Sequence, residues 1–201
     1  MNQRARASSR VLTVPNVITL LRLLLVPVFL WLLLGHNDGV AAAILLGVLG
    51  ATDWVDGYIA RHFDQESELG RIIDPIADRV LLFAAVIGLL IDGSAPRWIL
   101  LLVLVRELFV TIAVLALAAA GARRIDVIWA GKAGTFALMF GLPMFLLAES
   151  TTVLADLWLV GAWCFSIGGL ALSLWSAALY VPAALEALRE GRDARTGVGS
   201  E

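Results

Sequence analysis

Residues 40–91 read VAAAILLGVLGATDWVDGYIARHFDQESELGRIIDPIADRVLLFAAVIGLLI. Two long apolar runs, residues 40–60 and 75–91, flank a polar connection. Two aspartates stand at each run's edge nearest that connection: Asp53 and Asp56 before it, Asp74 and Asp78 after it. A helix needs about 20 mostly apolar residues to cross the hydrocarbon of a bilayer. Both runs approach that length, so the stretch predicts two membrane helices joined by a short turn, with acids where lipid penalises them.

Working outward, four more runs have the same character: residues 17–34, 98–120, 127–148 and 157–182. They are separated by short segments rich in helix-ending residues, such as Gly35-His36-Asn37-Asp38-Gly39 and Asp92-Gly93-Ser94-Ala95-Pro96. The expected fold is an all-α integral membrane protein. Its six transmembrane helices would enclose a polar cavity open to the cytoplasmic side. Residues 1–13 would form an N-terminal arm, 14–182 the helical domain and 183–201 a polar tail. The first run contains Arg22 and Pro27 and is followed by five others, so it reads as a retained span and not a cleaved leader.

Composition agrees. Of 201 residues, 60% are hydrophobic and 16% charged, and the mean hydropathy is +0.89. Soluble domains carry about 25% charge and about 45–50% apolar residues. So large an apolar surplus exceeds what one small core can bury, which argues against a soluble, disordered or disulfide-built chain. Cys164 is the sole cysteine, so it reads as an apolar filler. His36 and His62 fall in connections, and a Cys/His zinc site lacks ligands. A net charge of −2 gives no general attraction to nucleic acid.

Lys and Arg mark the cytoplasmic side of a membrane protein. Arg4, Arg6, Arg10, Arg61, Arg71, Arg123, Arg124, Arg189, Arg192 and Arg195 all fall at one side of the proposed topology, whereas the opposite connections hold only Arg97. Both termini are therefore expected to be cytoplasmic, in an inner membrane.

The acids inside the spans carry the chemistry. A charge at the bilayer centre costs about 2.5–3.5 kcal/mol on insertion scales, so four carboxylates need compensation. Asp53 and Asp56 are three apart and Asp74 and Asp78 four apart, so each pair shares a helix face. If the two helices are antiparallel neighbours, the four can converge. Carboxylate oxygens suit hard cations, and two divalent ions would balance four negative charges. Arg22, Arg79 and Lys132 are the competing, purely structural partners. At 1.5 Å per residue, Asp53 lies about 12 Å from Arg61, and Arg22 and Lys132 come out at similar depths. This places one polar layer near the cytoplasmic edge.

Together the residues spell Asp53-x2-Asp56-Gly57-x2-Ala60-Arg61-x8-Gly70-x3-Asp74-x3-Asp78. The pattern resembles the signature of the CDP-alcohol phosphatidyltransferases, with every fixed position and spacing met. The resemblance implies a membrane enzyme, usually a homodimer, that transfers a phosphatidyl group from CDP-diacylglycerol to an alcohol and releases CMP. It implies that Asp53, Asp56, Asp74 and Asp78 hold two divalent cations, Mg²⁺ or Mn²⁺. Asp78 would also be the general base, and Asp56, Gly57, Ala60, Arg61, Gly70 and Asp74 would contact the CDP moiety. Gly57 and Ala60 also suit tight helix packing, and Arg61 suits an interfacial anchor. Pro75 is expected in the first turn of the third helix, which would begin near Asp74 and aim its dipole at an anion.

Pro15-Asn16-x2-Thr19-x2-Arg22, Arg106-Glu107 and Gly131-Lys132-Ala133-Gly134-Thr135-Phe136 resemble the glycerophospholipid branch of that family. Asn16 and Thr19 would contact the nucleotide or cap the first helix. Arg106 and Glu107 would line an acceptor cavity or form a buried pair. Arg22, Arg106 and Lys132 are the candidate acceptor-binding cations. Phosphatidylglycerophosphate synthases typically carry a second lysine where Gly134 stands. A missing charge favours phosphatidylglycerol, giving cardiolipin, over glycerol 3-phosphate as acceptor. A divalent-cation transporter is the alternative from another class. It fits less well, because the acids are off-centre and no half-repeat is visible.

Overall fold

The computed structural model describes the backbone of residues 14–62, 70–119 and 129–197, and side chains throughout these except at 14–15, 53–62, 70–72, 75, 114–119, 129–130 and 179–197. The described chain is helical. Its elements are α1 (Val14–Leu30), α2 (Gly39–His62), α3 (Gly70–Asp92), α4 (Arg97–Ala119), α5 (Trp129–Ser150) and α6 (Ala155–Gly197).

The helix ends follow local chemistry. Pro27 sits inside α1 and has no N–H to give the preceding turn. The helix then widens into a π-turn over Trp31–Gly35, where the His36 N–H donates to the Trp31 carbonyl at 2.9 Å. Asp38 caps α2, its Oδ1 accepting from the Ala41 N–H at 2.9 Å. Gly93 ends α3 at φ +89, a left-handed conformation that glycine adopts without a Cβ clash.

The helices pack in a closed ring in the order α1, α3, α4, α6, α5, α2 and back to α1, with α3 also touching α5 across the middle. Over the described residues α2 and α3 make at most sparse contact with each other, and the side chains of the turns nearest their connection lie outside the described residues. Both pack on α1, which serves as their common wall. The chain alternates direction, so the starts of α1, α3 and α5 share one end of the bundle with the far part of α6.

The two ends differ in chemistry. Phe29, Leu33, Leu46, Leu82, Leu89, Leu100, Leu142 and Phe145 form an apolar core at the end where α1, α3 and α5 finish. Of the buried polar residues, Thr19, Arg22, Arg106, Glu107, Ser173 and Ser176 lie toward the other end, while Ser166 is on the α5–α6 seam and Ser94 in the α3–α4 connection. Leu20, Leu24, Ile44, Val48, Leu101, Val105, Ile112, Val160, Ile167 and Trp175 face outward. So extensive an exposed apolar surface is the pattern of a bundle solvated by lipid.

Among the described residues, three helices are long and apolar enough to cross a membrane: Asn16–Gly35, Gly131–Ser150 and Ala155–Ala178. Helices α3 and α4 have 23 residues each, about 35 Å at 1.5 Å per residue, but they carry internal charges. Helix α6 runs 43 residues, through Pro182 to Gly197. Its length of about 65 Å is roughly twice the hydrocarbon thickness. Residues 183–197 of the expected polar tail therefore continue the last helix.

Candidate active site between α1 and α3

Helices α1 and α3 run parallel, and their polar residues meet in register. The Thr19 hydroxyl donates to Asp74 Oδ1 at 2.6 Å. One turn further on, Arg22 Nη1 donates to Asp78 Oδ1 at 2.5 Å. Arg22 is 1% exposed and Asp78 is 35% exposed. A buried guanidinium thus holds a carboxylate that still reaches the surface of the bundle. Charge-assisted bonds of this kind are the stronger ones. Asp74 and Asp78 present oxygen ligands one turn apart on a single helix face, a donor set that fits a hard divalent cation. Among the described residues no group of three acidic, His or Cys side chains gathers. The side chains of Asp53, Asp56, Gly57, Ala60, Arg61 and Gly70 lie outside the described residues, as do Arg123 and Arg124 altogether. The backbone carries residues 53–61 on the last turns of α2 and Gly70 on the first of α3.

Two expectations about these helices change. Thr19 is in the second turn of α1, and its hydroxyl goes to Asp74 instead of capping the helix. Helix α3 begins at Gly70, a full turn before Asp74. Pro75 is therefore beyond the first turn, and Asp74 is not at the dipole's positive end.

A second polar cluster lies across the ring. Arg106 Nη1 donates to Glu107 Oε1 at 2.7 Å, with both side chains buried. Of the two alternatives read from sequence, the buried pair is thus present. Thr111 Oγ1 donates to the Glu107 carbonyl at 2.7 Å and accepts from Arg79 Nη1 at 2.6 Å. This chain ties α3 to α4, and it shows that Arg79 serves α4 and not an aspartate. Lys132 is exposed on α5, whereas Gly131 and Gly134 beside it are buried.

Those glycines explain the departure in the fifth helix. A Cβ at Gly134 would stand 2.7 Å from the Gly169 carbonyl oxygen and 2.8 Å from the Ser173 N. Gly131 faces Ser176, and Gly141 faces Ser166, in the same antiparallel register. Close approach of α5 to α6 therefore excludes any side chain at position 134. Gly134 marks a helix contact and not a charge removed from a cavity, which corrects the reason inferred above. The serines of this seam were not singled out from the sequence. Small residues recurring at one-turn and two-turn spacings on both helices were the available signal. Cys164 is exposed on α6.

The profile of the CDP-alcohol phosphatidyltransferase family matches residues 12–183, and the chain belongs to that family of membrane enzymes. It is 37% identical over 179 residues to a Streptomyces coelicolor protein named "Cardiolipin synthase (CMP-forming)", covering 87% of this chain and 83% of that one. It is 39% identical over 147 residues to "Probable phosphatidylglycerophosphate synthase" of Mycobacterium tuberculosis, covering 71% of this chain and 69% of that one. Against "CDP-diacylglycerol--glycerol-3-phosphate 3-phosphatidyltransferase" of Pseudomonas fluorescens the identity is 33% over 190 residues, 90% of this chain and 95% of that one.

Proposed function

We propose that the chain transfers the phosphatidyl group of CDP-diacylglycerol to the free hydroxyl of phosphatidylglycerol, giving cardiolipin and CMP. The observation that carries the site is the paired anchoring of Asp74 by Thr19 and of Asp78 by Arg22. It holds two signature aspartates on one face of α3. Asp53 and Asp56 would complete the ligand set from α2. Bound there, two divalent cations, Mg²⁺ or Mn²⁺, would neutralise the diphosphate and the charge that grows on it during transfer.

The chain's own residues do the rest. Asp78 takes the proton of the acceptor hydroxyl as its oxygen bonds to the lipid-bearing phosphorus. The bond from that phosphorus to the bridging oxygen breaks, and CMP leaves with it. Arg22 fixes one oxygen of Asp78, which orients the base and limits its wandering. Gly57 and Ala60 let the nucleotide approach the backbone of α2 closely. Arg61 and Gly70 bracket the connection where it would enter.

The cation inventory supports a weakly charged acceptor. Arg22 is bonded to Asp78, and Arg106 to Glu107. These two buried arginines are thus each paired with an acid. Glycerol 3-phosphate, with a nearly dianionic phosphate, asks for several cationic partners; phosphatidylglycerol brings one negative charge and keeps its acyl chains in lipid. In this reading all six helices span an inner membrane, residues 14–182 form the catalytic domain, and both termini are cytoplasmic. The polar cavity opens on that same side, and the enzyme works as a homodimer.

Purified protein given CDP-diacylglycerol, Mn²⁺ or Mg²⁺, and phosphatidylglycerol is expected to yield cardiolipin and CMP. Phosphatidylglycerophosphate formed only with glycerol 3-phosphate would reassign the acceptor. No CMP with either acceptor would end the reading.

A further inference from the structure

Asp78 and its chain neighbour Arg79 are held by different helices. In the ring, α3 stands between α1 and α4. On one side, Arg22 of α1 takes Asp78, and Thr19 takes Asp74 a turn earlier. On the other side, Arg79 Nη1 donates to Thr111 Oγ1 of α4 at 2.6 Å, and the same hydroxyl donates to the Glu107 carbonyl at 2.7 Å. A hydroxyl has one hydrogen to give and lone pairs to accept with. With that hydrogen committed to the backbone of α4, Thr111 presents an acceptor to α3, and Arg79 meets it.

The packing around this tie gives it consequence. Leu82, Val86 and Leu89 of α3 and Ile99, Leu100 and Val103 of α4 belong to one buried apolar core, at the end away from Asp74 and Asp78. Past Glu107, the large apolar side chains Leu108, Phe109 and Ile112 of α4 face outward. Among the described residues, α4 therefore meets α3 at the level of Asp78 through hydrogen bonds more than through packed apolar surface. Successive helix residues are about 100° apart and side chains reach about 5–6 Å from the axis. Bonds to residues 78 and 79 from two different helices thus oppose rotation of α3 about its own axis. A rotation of about 10° would carry the Asp78 carboxylate about 1 Å, and a misplacement of about 1 Å can cost about 10²-fold in rate.

We infer that Thr111 and Arg79 are positioning residues for phosphatidyl transfer: their hydrogen bond pins the rotation of α3 and so aims Asp78 at the acceptor hydroxyl, with neither side chain contacting substrate. The inference rests on the transferase reading, in which Asp78 is the base. It adds α4 to the helices that decide where that base stands.

The test uses the whole protein in nanodiscs, with CDP-diacylglycerol, phosphatidylglycerol and Mn²⁺. Thr111→Val keeps the size of the side chain and removes the acceptor. Its kcat for CMP release is expected to fall about tenfold or more, while KM for either lipid stays within about threefold and the melting temperature within about 4 °C. Thr111→Ser keeps the hydroxyl and should retain most of the wild-type kcat. Arg79→Met breaks the same bond from α3, and it serves where the valine variant folds poorly. The double variant Arg79→Met with Thr111→Val should lose no more than either single variant, because both break one tie. An unchanged kcat per folded molecule, a loss that serine does not restore, or additive losses in the double variant would overturn the positioning role. So would a raised KM in Arg79→Met that Thr111→Val lacks, which would make Arg79 a substrate contact. No CMP from the wild type with either acceptor would instead end the transferase reading, and this inference with it; the wild-type arm therefore tells the two failures apart.

Discussion

Arg22 Nη1 stands 2.5 Å from Asp78 Oδ1, so the first helix supplies the counter-charge for a carboxylate on the third. The arginine is fully buried and the aspartate only partly so. This bond offsets part of the cost of burying the cation and helps to fix where the carboxylate points. Positioning of the proposed base is therefore a property of α1 as much as of α3.

Replacing Asp78 by Asn keeps the shape and removes the proton acceptor. CMP release is expected to fall by about 10²–10⁴-fold, the range general-base loss produces, with the variant still inserted and monodisperse. Turnover near wild type, measured as CMP released per minute, would disprove the assignment of the base.

Arg22→Met should weaken both function and fold. Breaking a fully buried pair costs about 3–5 kcal/mol; the partial exposure of Asp78 reduces this to roughly 2 kcal/mol. Thermal unfolding in detergent reads that loss. The double variant Arg22→Met with Asp78→Asn should recover part of it, because the carboxylate that lost its partner is then neutral. A double variant no more stable than Arg22→Met would show that the pair is not what the arginine stabilises.

Thr19→Val is nearly isosteric and removes the donor to Asp74. The expected stability change is about 1 kcal/mol, with a larger relative loss of turnover and a weaker apparent affinity for Mn²⁺. Thr19→Ser should restore both. Unchanged metal dependence in the valine variant would separate Asp74 from the metal site.

Gly134→Ala tests the α5–α6 seam. The obstructing atoms are backbone, so overpacking of about 1–3 kcal/mol is expected, read as a lower melting temperature. Gly134→Lys should fail to accumulate as folded protein, and it should not convert the enzyme to glycerol 3-phosphate. A stable lysine variant with switched acceptor preference would show that this position does face the acceptor.

Chelation checks the cofactor directly. EDTA is expected to abolish CMP release, and added Mn²⁺ or Mg²⁺ to restore it. Full activity in EDTA would exclude a divalent requirement.

Much of this was legible before any coordinates. Residues 17–34 and 157–182 read as spans because lipid imposes a length on apolar runs, and the helices follow those runs with shifts only at their ends. The polar stretch from Glu186 on reads as a solvated helix end, and α6 does run on through it to Gly197. Asp74 and Asp78 were legible as a pair, since a spacing of four places them on one face. Their partners Thr19 and Arg22 could be proposed only as polar residues at the right depth.

Sequence alone determined the lipid-facing character of the bundle, the alternation of its helices and the identity of its acids. These depend on composition, run length and local spacing, which a linear chain already contains. Only the tertiary structure decided that α2 and α3 both pack on α1, that Arg22 closes on Asp78, and that the backbone of α6 packs against Gly134. Such facts depend on which helix faces meet, and residues more than 50 positions apart in the chain meet only when the whole ring closes.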